Sequence, residues 1–315
     1  MKEYAFGIDL GGTTAKAGLF TTAGALLEKW EIPTDTSDKG VRILPNLAAA
    51  ILDKMKEQGL TAEQIEGVGI GVPGPVQESS VVPIVCANLG GWGQQDVAAN
   101  LSLLLGGIKV MVGNDANVAA LGEIWMGAAK GCRSAVMVTL GTGVGGGVVI
   151  DNRIVTGFSG AAGEIGHMKV KDNETIPCGC GKYGCLEQYA SATGIVRLAK
   201  ELLCRSDEAS AMRQCENLTA KDVFDCAKAQ DALALQVVDQ FGQILGTALA
   251  NIAAIINPEI FVIGGGVSKA GQIILDVVQK YFRENVFFGC ADTQFTLASL
   301  GNDAGIYGAA SMVLN

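Results

Sequence analysis

His167, Cys178, Cys180 and Cys185 stand in the spacing H-x10-C-x-C-x4-C. Three thiolates and one imidazole close a tetrahedral zinc shell, the arrangement of a structural site, not of a hydrolytic one that keeps a position open. His167 is the only histidine of the chain, and three of its nine cysteines fall within eight residues. Buried free thiols beside a core histidine are the plainer alternative, and a disulfide would leave the third thiol unpaired. Glu164 lies three residues before His167, and Glu187 two after Cys185. A metal clamp on an irregular loop would fix both carboxylates, and carboxylates so held suit the hydroxyls of a sugar. Solvated surface glutamates are the alternative.

A second group lies at Asn114-Asp115-Ala116-Asn117, where an apolar strand gives way to a helix. There Asp115 could take a proton from a hydroxyl attacking a γ-phosphate, with Asn114 holding a neighbouring hydroxyl. Capping the helix is the ordinary role of both residue types and stays open. Phosphate chemistry is suggested by two turns. Gly11-Gly12-Thr13-Thr14 can aim backbone N–H groups and two hydroxyls at an anion, with Lys16 adding charge. Asp9, just before that turn, could hold magnesium through water. Gly141-Thr142-Gly143-Val144-Gly145-Gly146 matches the dinucleotide fingerprint, but Gly147-Val148-Val149-Ile150 returns as a strand where that fingerprint needs a helix. The dinucleotide reading therefore fails, and Gly141, Thr142 and Gly143 form a glycine-rich turn between two strands. Gly264-Gly265-Gly266 follows a strand and precedes a helix, so Gly265 and Gly266 suit contact with the ribose or base of a nucleotide.

The elements that must position these groups alternate between strand and helix. Hydrophobic patterning predicts strands over Ala5–Leu10, Lys16–Phe20, Leu26–Ile32, Gly67–Val72 and Lys109–Val112. Helices are predicted over Val41–Gln58, Asp96–Leu105 and from Asn114 to Met126. Further strands are expected over Ala135–Leu140, Val148–Ile150, Arg153–Val155, Ile260–Ile263 and Phe295–Leu300, with Gly157–Glu187 irregular. Helices are expected over Thr193–Cys204, Ala220–Ala229 behind a Thr219/Asp222 capping box, and Ala232–Ile256 stopped by Asn257-Pro258. Another should run from the glycine triplet to about Phe282, and a short one from Ala304. Phe6–Thr13 and Val136–Gly143 share one shape: strand, Gly/Thr turn, strand. Two such hairpins suggest a duplication, although two ordinary glycine-rich hairpins would look alike.

The totals narrow the class. With 315 residues, 49% hydrophobic, two α/β lobes can be built. A net charge of −9 argues against nucleic acid, because phosphate backbones are bound by basic surfaces. No signal peptide or bilayer span is expected, and the scattered cysteines lack a secreted disulfide pattern, which points to a reduced, cytoplasmic setting.

Asp9–Lys16, Gly163-Glu164-Ile165-Gly166-His167 and Cys178–Glu187 together resemble the ROK family of sugar kinases and repressors, and the likeness runs along essentially the whole chain. Within the family, the segments Asn88–Trp92, Leu140–Gly147 and Ser191–Val196 resemble the bacterial glucokinases. The resemblance implies a two-lobed actin/hexokinase-like fold, a duplicated ribonuclease H-like unit with a zinc-bound loop, usually as a homodimer, with ATP and sugar meeting between the lobes. The lobes are placed at residues 1–118, joined by a C-terminal helix at 304–315, and at residues 119–303. By resemblance, the protein transfers phosphate from magnesium-ATP to D-glucose, giving glucose 6-phosphate, with Asp115 as the base that takes the hydroxyl proton. Asn114, Glu164, His167 and Glu187 then bind sugar hydroxyls, with one His167 nitrogen on zinc and the other toward the sugar. Gly11–Thr14 and Gly141–Gly143 cradle phosphate. After Gly74-Pro75-Val76 the family often has Asp, where Gln77 stands here. Another hexose is the alternative substrate. A sugar-responsive repressor is the rival of a different class, but no DNA-binding domain is expected ahead of a nucleotide-binding strand that starts by Tyr4.

Overall fold

The computed structural model describes residues 2–77, 80–86 and 89–314; Asn88 of the glucokinase-like segment lies outside them. The chain opens with strands β1 (Tyr4–Leu10), β2 (Thr14–Thr21) and β3 (Leu26–Pro33), then helix α1 (Ile43–Glu57) and strand β4 (Ile65–Val72). A hairpin of β5 (Val81–Cys86) and β6 (Trp92–Asp96) follows, and then α2 (Val97–Leu104), β7 (Val110–Asn114) and α3 (Asp115–Trp125). Next come β8 (Ala135–Leu140), β9 (Val144–Ile150) and β10 (Arg153–Ile154), then α4 (Glu187–Ala190), α5 (Ala192–Arg205), α6 (Ala220–Lys228) and α7 (Ala232–Ile256). Strand β11 (Ile260–Gly264), α8 (Gln272–Asn285), β12 (Gln294–Leu297) and α9 (Ala304–Leu314) complete the chain.

The two five-stranded sheets have the same plan, β3-β2-β1-β4-β7 and β10-β9-β8-β11-β12. In the first, β1 pairs antiparallel with β2 and parallel with β4; in the second, β8 pairs parallel with β11, and β11 with β12. This shared order is the repeat that the two similar hairpins suggested. The α/β expectation therefore holds, down to helix α7, which begins behind an Asp231 cap and ends at left-handed Asn257 just before Pro258.

Three local expectations differ. The β5–β6 hairpin was not foreseen, because Pro83 interrupts the strand pattern. Strand β9 starts at Val144, within the glycine run that was assigned to the turn. The helix after the glycine triplet breaks: residues Val267–Ala270 form one 3-10 turn, Gly271 takes a positive φ, and α8 begins only at Gln272.

By its contacts the chain forms two compact units, one of residues 1–133, 147–163 and 299–315, the other of residues 134–146 and 164–298. In the first unit α9 lies directly on the sheet. A Cβ on Gly7 would meet the Ile306 carbonyl oxygen at 2.0 Å, and one on Gly69 would meet that of Ala309 at 1.7 Å, so side chains at these strand positions would push the helix off. The other face of this sheet is closed by α1, whose Leu44, Leu47, Ala48 and Ile51 join Phe6, Ile8, Val68 and Ile70 in the core. In the second unit α7 packs on α8, α5 and α6, around Phe224, Phe241 and Leu245. Among the described residues no helix is long and apolar enough to cross a membrane.

Candidate functional site

In the first unit, β1 and β2 are joined by a tight turn in which the Gly11 N–H donates to the Thr14 carbonyl at 3.2 Å. Thr34 fixes it from one side: its N–H donates to the Thr13 carbonyl at 2.9 Å and its hydroxyl to the Gly11 carbonyl at 2.8 Å. Gly12 and Thr13 stand exposed at the tip. Asp9 is the last but one residue of β1, before this turn, and burial pushes its carboxyl up to about 6, with the charge of Asp115 adding to the rise and Lys16 opposing it. The Lys16 ammonium donates to the Asn302 carbonyl at 3.1 Å.

Asn114 and Asp115 lie where β7 passes into α3. Asn114 is the helix cap, its side-chain oxygen accepting the Asn117 N–H at 3.1 Å. Its amide nitrogen donates to the Gly74 carbonyl at 3.1 Å and to Asp115 Oδ1 at 3.0 Å. Asp115 Oδ1 also accepts the Ala116 N–H, at 2.8 Å, which fixes an exposed carboxylate at the first helical residue. The capping alternative thus falls to Asn114. Gln77, the departure from the family pattern, bridges to Val81.

In the second unit, one ligand atom from each of His167, Cys178, Cys180 and Cys185 lies within 4.8 Å of the others. Cys180 Sγ is 3.6 Å from Cys185 Sγ, and Cys178 Sγ is 3.9 Å from His167 Nδ1. The Cys180–Cys185 separation is far too long for a disulfide. Both separations match the edges of a tetrahedron with zinc–sulfur bonds of about 2.3 Å, so the residues fit a zinc ion. Burial and the two neighbouring thiols push the Cys185 thiol up to about 12, a penalty that a bound cation would remove. His167 presents its two nitrogens oppositely, Nδ1 to the thiols and Nε2 to Glu164 at 3.9 Å.

Glu187 opens α4 and reaches back to the second turn. Its Oε2 accepts the Val144 N–H at 3.1 Å, and its Oε1 lies 3.7 Å from Cys178 Sγ. Two glycines make the approach possible. A Cβ on Gly143 would stand 2.2 Å from Glu187 Oε2, and one on Gly166 would stand 2.1 Å from the Val144 carbonyl oxygen. The turn 141–143, residues 164–167 and the thiol loop therefore form one packed piece.

That turn also borders a cavity of about 500 Å³. Gly141, Thr142 and Gly266 lie on its wall, and Gly265 packs on the Leu140 backbone. The remaining wall includes Ala192, the cap Thr219, and Phe224, Lys228 and Asp225 of α6, with Val267 and Lys269; Asp225 pairs with Lys221 and lies 3.9 Å from Lys228. Reading the sequence missed these residues. The Thr219 capping box was legible, but it marked only a helix start, and nothing local ties α6 to a glycine turn dozens of residues earlier. The apolar wall around Phe224 and Val267 suits a flat heterocycle.

A model of the ROK family matches residues 5–315. The chain is 43% identical over 311 residues to the glucokinase of Halalkalibacterium halodurans, covering 98% of this chain and 94% of that protein. It is 36% identical to the glucokinase of Thermotoga maritima, covering 98% and 96%. A ROK family glucokinase from Streptomyces griseus, solved with glucose and AMPPNP, superposes with a TM-score of 0.75 at 32% identity, covering 98% of each chain. Duplicated sheet order, thiol-bound loop and whole-length similarity agree: this chain belongs to the ROK family.

Proposed function

We propose that the protein transfers the γ-phosphoryl group of magnesium-ATP to the 6-hydroxyl of D-glucose. The observation that carries this reading is the packed group of Glu164, His167 and Glu187 on the thiol cluster. The carboxylates Glu164 and Glu187 and the imidazole supply acceptors and no cation, which suits a neutral polyol and disfavours sugar phosphates or acids. The preference for glucose rests on the two relatives named glucokinase and on the glucose bound in the Streptomyces griseus structure.

In this reading Asp115 takes the proton of the sugar hydroxyl as its oxygen bonds to the γ-phosphorus. The bond to the β–γ bridging oxygen breaks, and ADP leaves with the electron pair. Asn114 keeps Asp115 oriented through the amide contact on Oδ1. The Gly11–Thr14 and Gly141–Gly143 turns and Lys16 would meet phosphate charge, and Asp9 would hold magnesium. Magnesium, when bound with the nucleotide, offsets charge on the phosphates. Zinc would be held by His167 Nδ1 and the three thiolates, and its part is to fix the imidazole so that Nε2 faces a sugar hydroxyl. The cavity beside Gly141 and Gly266 takes the adenosine. The test is to incubate the protein with magnesium-ATP and carbon-13 glucose and locate the ester by NMR. Phosphate on O6 supports the assignment; phosphate elsewhere, or none, refutes it.

A further inference from the structure

Glu123 is fully buried in α3 and forms no ion pair among the described residues. An unpaired buried carboxylate is costly unless dipoles satisfy it completely. Here they do. Oε1 accepts the N–H groups of Ser299 at 3.1 Å and Leu300 at 2.9 Å. Oε2 accepts the N–H of Ala128 at 2.7 Å and faces the N–H and hydroxyl of Ser299 at 3.2 and 3.3 Å. A Cβ on Gly127 would stand 2.1 Å from Oε2, so that loop is also shaped around the carboxylate.

The segment that Glu123 grips leads straight to the phosphate-side groups of its own unit. Two residues beyond Leu300, the Asn302 carbonyl accepts the Lys16 ammonium. Asp303 pairs with Lys29 at 2.7 Å, which holds the same turn to β3. Then α9 begins, and a Cβ on Gly305 would lie 2.7 Å from Asp9 Oδ2, so Gly305 is seated on that carboxylate. A loop staple alone would need no charge. A buried anion on four donors fixes the segment far more rigidly than neutral contacts would.

We infer that Glu123 is a positioning residue for phosphoryl-donor binding, acting through residues 299–305 on Lys16 and Asp9. This rests on the kinase reading above. Glu123→Gln keeps the shape but turns an NH₂ group toward an N–H donor whichever way the amide lies, which should release the segment.

The experiment titrates magnesium-AMPPNP into wild type and Glu123→Gln and measures KM for magnesium-ATP and for the sugar in both. Nucleotide affinity should fall roughly tenfold, with KM for magnesium-ATP rising in step and KM for the sugar unmoved. Leu47→Ala, a cavity in the core of the same unit, is the control for lost stability. If Glu123→Gln lowers the melting temperature as Leu47→Ala does and leaves nucleotide affinity unchanged, the inference is wrong. In a Lys16→Met background the effect of Glu123→Gln should shrink; full additivity would also overturn it. If Glu123→Gln does not fold, Ser299→Ala decides, with a smaller loss of nucleotide affinity expected and an unchanged value contradicting. Wild type that binds magnesium-AMPPNP but phosphorylates no sugar would sink the kinase reading and leave this inference to the titration.

Discussion

Asp115 Oδ1 already accepts two hydrogen bonds, from the Asn114 amide and the Ala116 N–H. Both orient the carboxylate, and neither would be lost on replacing it by an amide of the same shape. Asp115→Asn should therefore keep sugar affinity and lose turnover by ~10²–10⁴-fold, as measured by steady-state kinetics and sugar titration. A variant with more than about a tenth of wild-type kcat would show that another group takes the proton. Gly143 gives a less obvious result. It belongs to the turn assigned to phosphate, yet the methyl of Gly143→Ala would fall 2.2 Å from Glu187 Oε2. Displacing that carboxylate should raise KM for the sugar roughly tenfold. If only KM for ATP changed, Glu187 would not be tied to the turn in the way described. The residues Gly143 and Glu187 could each be named from the sequence. Their contact could not, because 43 intervening residues separate them and only the fold sets their approach.

At the scale of elements, the thiol loop has no regular structure to hold it over residues 168–186 beyond short bridges. Two anchors replace it, the cluster of His167 and three thiols and a polar group around Glu174. Removing one ligand with Cys180→Ser should remove zinc and weaken sugar binding, since Glu164 and Glu187 flank the cluster. Elemental analysis should find about one zinc per chain in wild type. A metal-free variant with normal sugar affinity would refute the clamp. The second anchor titrates. Glu174 accepts hydrogen bonds from the Tyr189 hydroxyl and the Ile176 N–H, and pairs with Arg197 at 3.0 Å. These contacts, the Tyr189 hydroxyl first, hold its carboxyl down at about 2 from an ordinary 4.5. A depressed carboxylate stabilises the fold above the ordinary value, and the contribution fades as pH drops from 4.5 toward 2. Glu174→Gln should thus melt lower than wild type at pH 7, and the gap should narrow steadily below pH 4.5. A gap independent of pH would mean that the charge contributes nothing. Helices with strong end signals were readable, as Asp231 and Asn257-Pro258 show for α7. The β5–β6 hairpin was not, because strand pairing is a tertiary choice that Pro83 obscures locally.

For the whole molecule, the repeated sheet order explains why two turns of similar sequence both serve as phosphate-binding candidates. The hairpin echo made that repeat legible, and the His/Cys spacing made the cluster legible, because both signals are local. The cavity beside Gly141 was hidden, since its wall is assembled from α5, α6 and the turn after β11, elements far apart in the chain. Glu123 was hidden for the same reason, its partners lying 176 and 177 residues away. Among sugars, a site built from carboxylates discriminates by leaving an acceptor unpaired when a hydroxyl is missing or misdirected, at ~1–3 kcal/mol each. The most direct measurement is kcat/KM with magnesium-ATP for glucose, mannose, fructose, N-acetylglucosamine and N-acetylmannosamine. Glucose should lead the others by roughly tenfold or more; any other sugar leading glucose by that margin would contradict the assignment of glucose as the substrate.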